Sequence, residues 1–488
     1  MTADPGARPS SKKRKPDGDA EIHTLGFRRT DYGNAERLVA RYRGRIRYCF
    51  GRKRWLVWAD RRWAWDETGV LIRMAKLVVR AIYREASDTA DPHERARLAK
   101  HAQASEKTSA IAALLTSAQT EPGIPVALDE LDANPLLLNC ENGTVNLETG
   151  QLQSHDQADL ITKICPAAYS PDACHPMWDR FIAEATAGDT ELAAYIQRAA
   201  GYALQGRCSE RALFFVYGEP GSAKSTLIDA LGAALGDYHV SSGRETWLVQ
   251  KNQGGNRGDL VRLAGSRLVT ATEFRRGDRF DEGLIKAITG GDAIVHAAKF
   301  ESEVTIRPTF ALWFAANAAP IIRDDDAGMW ARMRRIPFDH SIPLEKQDKA
   351  VKVALCEDPA ARAAILSWAI KGHANWQSKG LGEAKAVSES NQAYRAEMDP
   401  IGGFLALCKF SPELQITAGA FRKAYKNWCE DNGVKFMLER SEIEKRLKPL
   451  GAKYIALHGK QFVKGLDMLG DYEDQGQQDF QEHWKTQG

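Results

Sequence analysis

One stretch restricts the fold of this chain more than any other: Leu213-Phe-Phe-Val-Tyr-Gly-Glu-Pro-Gly-Ser-Ala-Lys-Ser-Thr-Leu227. An apolar, β-prone run from Leu213 to Tyr217 stops at a small-residue loop, Gly218, Glu219, Pro220, Gly221, Ser222 and Ala223. Lys224, Ser225 and Thr226 follow, and then Leu227, Ile228, Leu231, Ala234 and Leu235 recur at helical spacing. Strand, tight loop and helix in that order make a phosphate-binding loop, in which main-chain N–H groups and a helix N-terminus converge on an anion. Lys224 would reach the β- and γ-phosphates of ATP, and the Ser225 hydroxyl would sit on Mg²⁺. The pattern G-x-x-x-x-G-K-[ST] is broken once, at Ala223, where alanine is disfavoured if the backbone needs φ > 0. An ordinary Gly/Ser turn is the alternative; the strand before and the helix after favour the nucleotide.

The 488 residues suffice for about three domains. With 43% hydrophobic and 27% charged residues the chain reads as soluble and globular, and no apolar run has the length of a membrane span or a signal segment. Eight scattered cysteines point to a reducing compartment, the cytoplasm of a cell. Cys165, Cys174 and His175 lack the second close pair that a zinc site needs. Net charge is only +3, so a nucleic-acid surface must come from local patches.

Residues 1–20, with the run Lys12-Lys-Arg-Lys15, read as a disordered basic tail. Residues 28–62 carry twelve Arg/Lys against three acids, with Tyr42, Tyr48, Trp55, Trp58, Trp63 and Trp65 in or just beyond the same stretch. Such interleaving suits single-stranded nucleic acid; a small β-unit from Tyr48 to Trp65 with Trp55 and Trp58 as core is the favoured reading. A helical pattern follows over 70–118, a hairpin is expected at Asn142-Gly143, and a second helical pattern runs from Met177 to Leu204.

A second core strand, Arg267-Leu-Val-Thr-Ala-Thr-Glu273, ends in a carboxylate, which makes Glu273 the candidate for holding Mg²⁺ and orienting the attacking water. A third, Phe310 to Asn317, ends in an amide that would point into the nucleotide crevice. Arg332, in Trp330-Ala-Arg332, is the candidate for an arginine supplied across a subunit boundary, with Arg334 and Arg335 in reserve; a salt bridge to Asp324, Asp325 or Asp326 competes. Between the second and third strands lie a helix capped by Gly290 and a hairpin with Lys299 and Phe300 near its tip, suited to gripping a phosphate backbone and a base. Past Asp399-Pro400, residues 401–469 read helix, helix, helix, hairpin, the order of a winged helix, with Lys445, Arg446 and Lys448 on its recognition helix. Arg422 to Lys464 hold eleven Lys/Arg against five Asp/Glu, which suits DNA; Glu442 and Glu444 keep protein docking open. Residues 471–488 read as a disordered tail.

In their order, the phosphate loop, Glu273, Lys286 with Thr-Gly-Gly-Asp292, Asn317, and Trp330-x-Arg332 with Ile-Pro-Phe338 resemble the superfamily 3 helicases, and within them the phage/plasmid and poxvirus primase-helicase family. Thr30 to Glu36, Leu136-Leu-Leu-Asn and Leu147 to Gly150 resemble that family's helper domain. The resemblance implies an AAA+-type P-loop core with a parallel sheet, preceded by an α+β helper domain and followed by a winged-helix-like module. The expected bounds are 21–190, 191–385 and 386–470. It further implies a homo-hexameric ring on single-stranded and forked DNA, with Lys286, His296, Lys299 and Phe300 facing the strand and Arg332 acting in trans. Relatives carry an arginine where Ala297 aligns, which leaves the gripping to His296 and Lys299. No Asp-x-Asp or Asp-x-Glu of a polymerising site lies on a strand before residue 200, so the expectation is a helicase served by a separately encoded primase. The rivals are a small-molecule kinase and a DNA-binding initiator that uses ATP only as a switch.

Overall fold

The computed structural model describes residues 26–250, 258–296, 304–322, 327–340, 349–399, 401–431 and 437–468. They form two compact units, one made of the described residues up to Ala173 with Ala234–Tyr238, the other of Cys174–Ala233 and the described residues from His239 on.

The first unit opens with helix Asp31–Tyr42, capped by the Thr30 hydroxyl, which accepts the Gly33 N–H. A four-stranded sheet follows in the order Trp63–Trp65, Arg54–Trp58, Ile46–Cys49, Pro125–Val126. Alternation sends Ile46 and Tyr48 toward helices Asp31–Tyr42, Val70–Asp88 and Thr108–Ala118. Leu56, Trp58 and Trp63 pack on the opposite face with Cys49 and Val126. Trp58 and Trp63 are therefore core, whereas Trp55, expected there, is only half-buried. The arginines divide: Arg37 is buried against Glu85, Arg47 lies over the Trp63 ring, Arg52 and Arg54 lie over Trp65, and Arg43, Arg45 and Arg61 are exposed. The hairpin expected at Asn142-Gly143 is present, but its loop is Glu141-Asn142, because Gly143 already pairs with Cys140. A Cβ on Gly143 would lie 2.3 Å from the Gln153 carbonyl oxygen of the next strand, so glycine is needed for strand approach rather than for the turn.

The second unit is built on five parallel strands, in chain order Leu213–Tyr217, His239–Ser241, Leu268–Thr272, Ala311–Ala316 and Met333–Pro337. Across the sheet their order is fifth, first, fourth, third, second. The first, third and fourth strands lie inside the sheet, with Phe214, Phe215, Val269, Trp313 and Phe314 each essentially inaccessible. This explains why those segments read as unbroken apolar runs instead of alternating ones. Helix Lys385–Met398 covers the exposed edge. Its Asn391 accepts the Arg335 N–H and donates to the Met333 carbonyl, making the two bonds a further strand would make. Tyr394 enters the core from the same helix.

Helices Thr190–Ala203 and Pro359–Lys379 cross at two glycines. A Cβ on Gly372 would lie 2.0 Å from the Gln197 carbonyl oxygen, and one on Gly201 would lie 2.1 Å from the His373 nitrogen. Both neighbours are backbone and cannot step aside. Gly372→Ala is expected to lower the urea midpoint by the equivalent of about 1–3 kcal/mol with an unchanged slope. Gly419→Ala, at a helical position with open space around it, should do the reverse by roughly 0.5–1 kcal/mol.

Helix Glu282–Gly290 ends one residue later than expected: the left-handed cap is Gly291 (φ 77°), while Gly290 is its last helical residue. Strands Ile294–His296 and Val304–Ile306 then pair antiparallel, as the expected hairpin does. The C-terminal module differs from the expected order of three helices and a hairpin in two ways. Its first helix is a single turn, Gly402–Leu405, and a strand the sequence did not reveal, Cys408–Thr417, precedes helices Ala418–Asp431 and Arg440–Leu447. That strand pairs with Lys460–Met468, which pairs with Lys453–Leu457. Its pattern is mostly exposed or half-buried, with a register break between Phe410 and Gln415, so no alternation betrayed it.

Candidate nucleotide site

The strand register decides what meets at the site. Tyr217 pairs with Ala316, and Ala315 pairs with Thr272, so Gly218, Asn317 and Glu273 emerge side by side at the carboxyl edge of three adjacent strands. Neighbouring strands lie about 4.8 Å apart. Glu273 and Asn317 are both exposed at this edge.

The loop itself is tightly constrained. A Cβ on Gly218 would lie 2.0 Å from the Phe338 carbonyl oxygen, because the fifth strand runs on beside it and the Phe338 N–H bonds the Tyr217 carbonyl. Gly221 has φ 81°, and Ala223 has φ 65°. Alanine thus occupies the left-handed region that its side chain disfavours, at a cost of about 1–2 kcal/mol. Lys224 is 6% exposed. Its Nζ donates to the Gly218 and Glu219 carbonyls, both at 2.8 Å, and to Ser222 Oγ at 3.0 Å, and burial pushes its pKa down. The helix begins at Lys224, so the first N–H groups of its opening turn have no intrahelical acceptor. With the exposed Ser225 hydroxyl beside them, this donor set fits a polyphosphate with a divalent cation. Such a cation would neutralise charge on the phosphate oxygens; Ser225 and Glu273 are the side chains in position to hold it.

Arg332 lies elsewhere. It immediately precedes the fifth strand, whose Met333 pairs with Leu213, so it sits at the amino edge of the sheet. Its Nε donates to Thr289 Oγ1 at 3.0 Å and its Nη1 to the Gly328 carbonyl at 2.8 Å. The reserves are committed otherwise. Arg334 bonds the Ala331 and Met333 carbonyls, while Arg335 is buried over the Tyr217 ring and paired with Glu397. The competing partners Asp324, Asp325 and Asp326 lie outside the described residues, as do Lys299 and Phe300. Lys286 is half-buried on helix Glu282–Gly290, and His296 closes the first hairpin strand. On helix Arg440–Leu447, Lys445 is exposed, and Lys448 is exposed just past its end. Arg446 Nη1 bonds Asp399 at 2.7 Å, at the entry to the module.

Residues that the sequence did not single out are Arg244 and Asp278. Their contact joins two loops 34 residues apart, so no local pattern marks it. Among the described residues no group of His, Cys, Asp and Glu could hold a metal by itself, and no helix is long and apolar enough to cross a membrane.

A phosphate loop on a parallel sheet of this strand order, with an amide ending the adjacent strand and an acid ending the next one, defines an AAA+-type P-loop NTPase core. Residues 35–187 match the family described as D5 N terminal like, and residues 216–335 match a family of unknown function, DUF5906. The first match lies mainly in the first unit, and the second spans the phosphate loop, Glu273, Asn317 and Arg332. It is 25% identical over 302 residues to "Putative helicase L207/L206" of Acanthamoeba polyphaga mimivirus, covering 58% of this chain and 31% of that one. It is 23% identical over 258 residues to "Putative helicase 022R" of Frog virus 3, covering 49% and 26%. The matched part thus spans about a third or less of these relatives. The apo structure of the NrS-1 C terminal region aligns with 91% of this chain and 100% of its own at 12% identity and a TM-score of 0.49.

Proposed function

We propose that this chain is the ATP-driven DNA helicase of a phage, plasmid or other mobile element, a superfamily 3 motor that works as a homo-hexameric ring in the host cytoplasm. ATP with Mg²⁺ binds at Gly218–Thr226; Glu273 orients the attacking water, and Asn317 holds that water or senses the γ-phosphate. Arg332 stabilises charge on the phosphoryl group of a neighbouring subunit. The hairpin, through His296 and Lys299 with Phe300, and Lys286 behind it, grips one strand of forked DNA in the ring, and Lys445 and Lys448 add phosphate contacts outside it. A separately encoded primase supplies the primers.

The observation that carries this reading is the division of the sheet. The phosphate loop, the acid and the amide end at one edge, while the arginine needed for charge stabilisation stands at the other. A single-subunit kinase would gather all four at one edge. The test is unwinding of forked DNA carrying defined single-stranded tails. Strand separation that requires ATP and Mg²⁺, with turnover stimulated by single-stranded DNA, is the expected result. A protein that stays monomeric and hydrolyses ATP indifferently to oligonucleotides would sink the motor.

A further inference from the structure

Glu273 is one of the few non-glycine residues with positive φ, 65°, and it follows directly on its strand. Such a conformation is disfavoured for a residue with a Cβ and persists only where the surroundings enforce it. The enforcement here comes from a second loop. Asp278 accepts the Arg275 N–H at 2.8 Å and returns its own N–H to the Arg275 carbonyl at 3.1 Å, closing the turn after Glu273. Arg244 Nη1 then donates to the Glu273 carbonyl at 3.0 Å and to Asp278 Oδ2 at 3.4 Å. Its Nε bonds Glu245 Oε1 at 3.0 Å.

The platform beneath Arg244 is firm. Trp247 is fully buried, its Nε1 donates to Ser242 Oγ at 2.8 Å, and Ser242 bonds the Thr270 carbonyl of Glu273's own strand through both its N–H and its hydroxyl. Phe274 and Phe280, buried on either side of the turn, meet edge to face at 5.5 Å and anchor its two ends in the core.

The geometry points to Arg244 as a positioning residue: by bridging the Glu273 carbonyl and the Asp278 carboxylate, it holds Glu273 in its left-handed conformation and so aims the carboxylate at the attacking water. The role rests on Glu273 being the water-orienting acid. Arg244 acts on the main chain of Glu273, so it moves the reacting geometry without binding the nucleotide.

Steady-state ATP turnover of the full chain with single-stranded DNA tests this. Arg244→Ala is expected to lower kcat about 10- to 100-fold, as misplacement of a reacting group by roughly an ångström does, with KM for ATP and nucleotide affinity within about twofold. Arg244→Lys should recover part of the loss. Asp278→Asn, which keeps the shape of the turn, should lower kcat in the same sense and add little on top of Arg244→Ala. Unchanged kcat in Arg244→Ala, alongside lost turnover in Glu273→Gln, overturns the inference and leaves Glu273's role standing. A raised KM at constant kcat overturns it too, because Arg244 would then be a nucleotide ligand. Full turnover in Glu273→Gln removes the reading beneath it. Should Arg244→Ala fail to fold, Arg244→Lys and Asp278→Asn decide by the same split between kcat and KM.

Discussion

Lys224→Ala abolishes turnover, with kcat expected to fall at least about 10²- to 10³-fold, the scale on which losing one charge-stabilising donor registers. The lysine is held by its own loop. Its ammonium is held among the Gly218 and Glu219 carbonyls and Ser222 Oγ, and burial lowers its pKa. An anion entering the loop replaces carbonyl dipoles with full charge, so the lysine binds more strongly when phosphate is present. Alanine forfeits that gain and leaves two loop carbonyls to water. The sheet and the Gly218 approach to Phe338 do not depend on the lysine, so the thermal midpoint should move by only a few degrees. Phosphate-release and unfolding assays on one preparation check both halves.

Arg332→Ala is expected to reduce ATP turnover about 10³-fold or more, the range assigned to an arginine finger, while nucleotide affinity stays near that of the native chain. The fifth strand, Met333–Pro337, is parallel to Leu213–Tyr217 and in register with it. At about 3.3 Å per residue, its start stands roughly 15 Å from the edge where its own phosphate loop opens. On the proposed function, a phosphate that Arg332 reaches would therefore belong to another subunit. Mixing inactive Lys224→Ala with inactive Arg332→Ala should restore measurable activity, since some interfaces then pair an intact loop with an intact arginine. Absence of recovery in freely exchanging rings would refute the shared site. The bond to Thr289 Oγ1 adds a finer expectation. Thr289 is buried, its hydroxyl donates to the Ile285 carbonyl, and it stands at the end of the helix that leads into the hairpin. Thr289→Val keeps the volume and removes the acceptor, so turnover should fall less than in Arg332→Ala, and Thr289→Ser should restore it.

Much of the site was legible because its signals are local. The phosphate loop is one continuous stretch, and a buried strand ending in Glu or Asn shows itself by an apolar run followed by a polar residue. Gly290-Gly291 announced a helix end but not which glycine takes the left-handed cap, since either can adopt it. Trp63 was as visible as Trp58, yet only the pairing of the strands buried it and left Trp55 half-open. The bond from Arg446 to Asp399, 47 residues away, left no trace in its helix pattern.

The amino-acid order by itself determined the chemistry available here: a polyphosphate cradle, an acid, an amide and a spare arginine, each set by neighbours a few residues apart. The tertiary structure decided which of them share an edge, because strand order depends on pairings between segments 29 to 120 residues apart. It alone placed Arg332 away from its own loop, and it alone brought Arg244 to the Glu273 backbone, since a hydrogen bond between two loops leaves no period in the sequence.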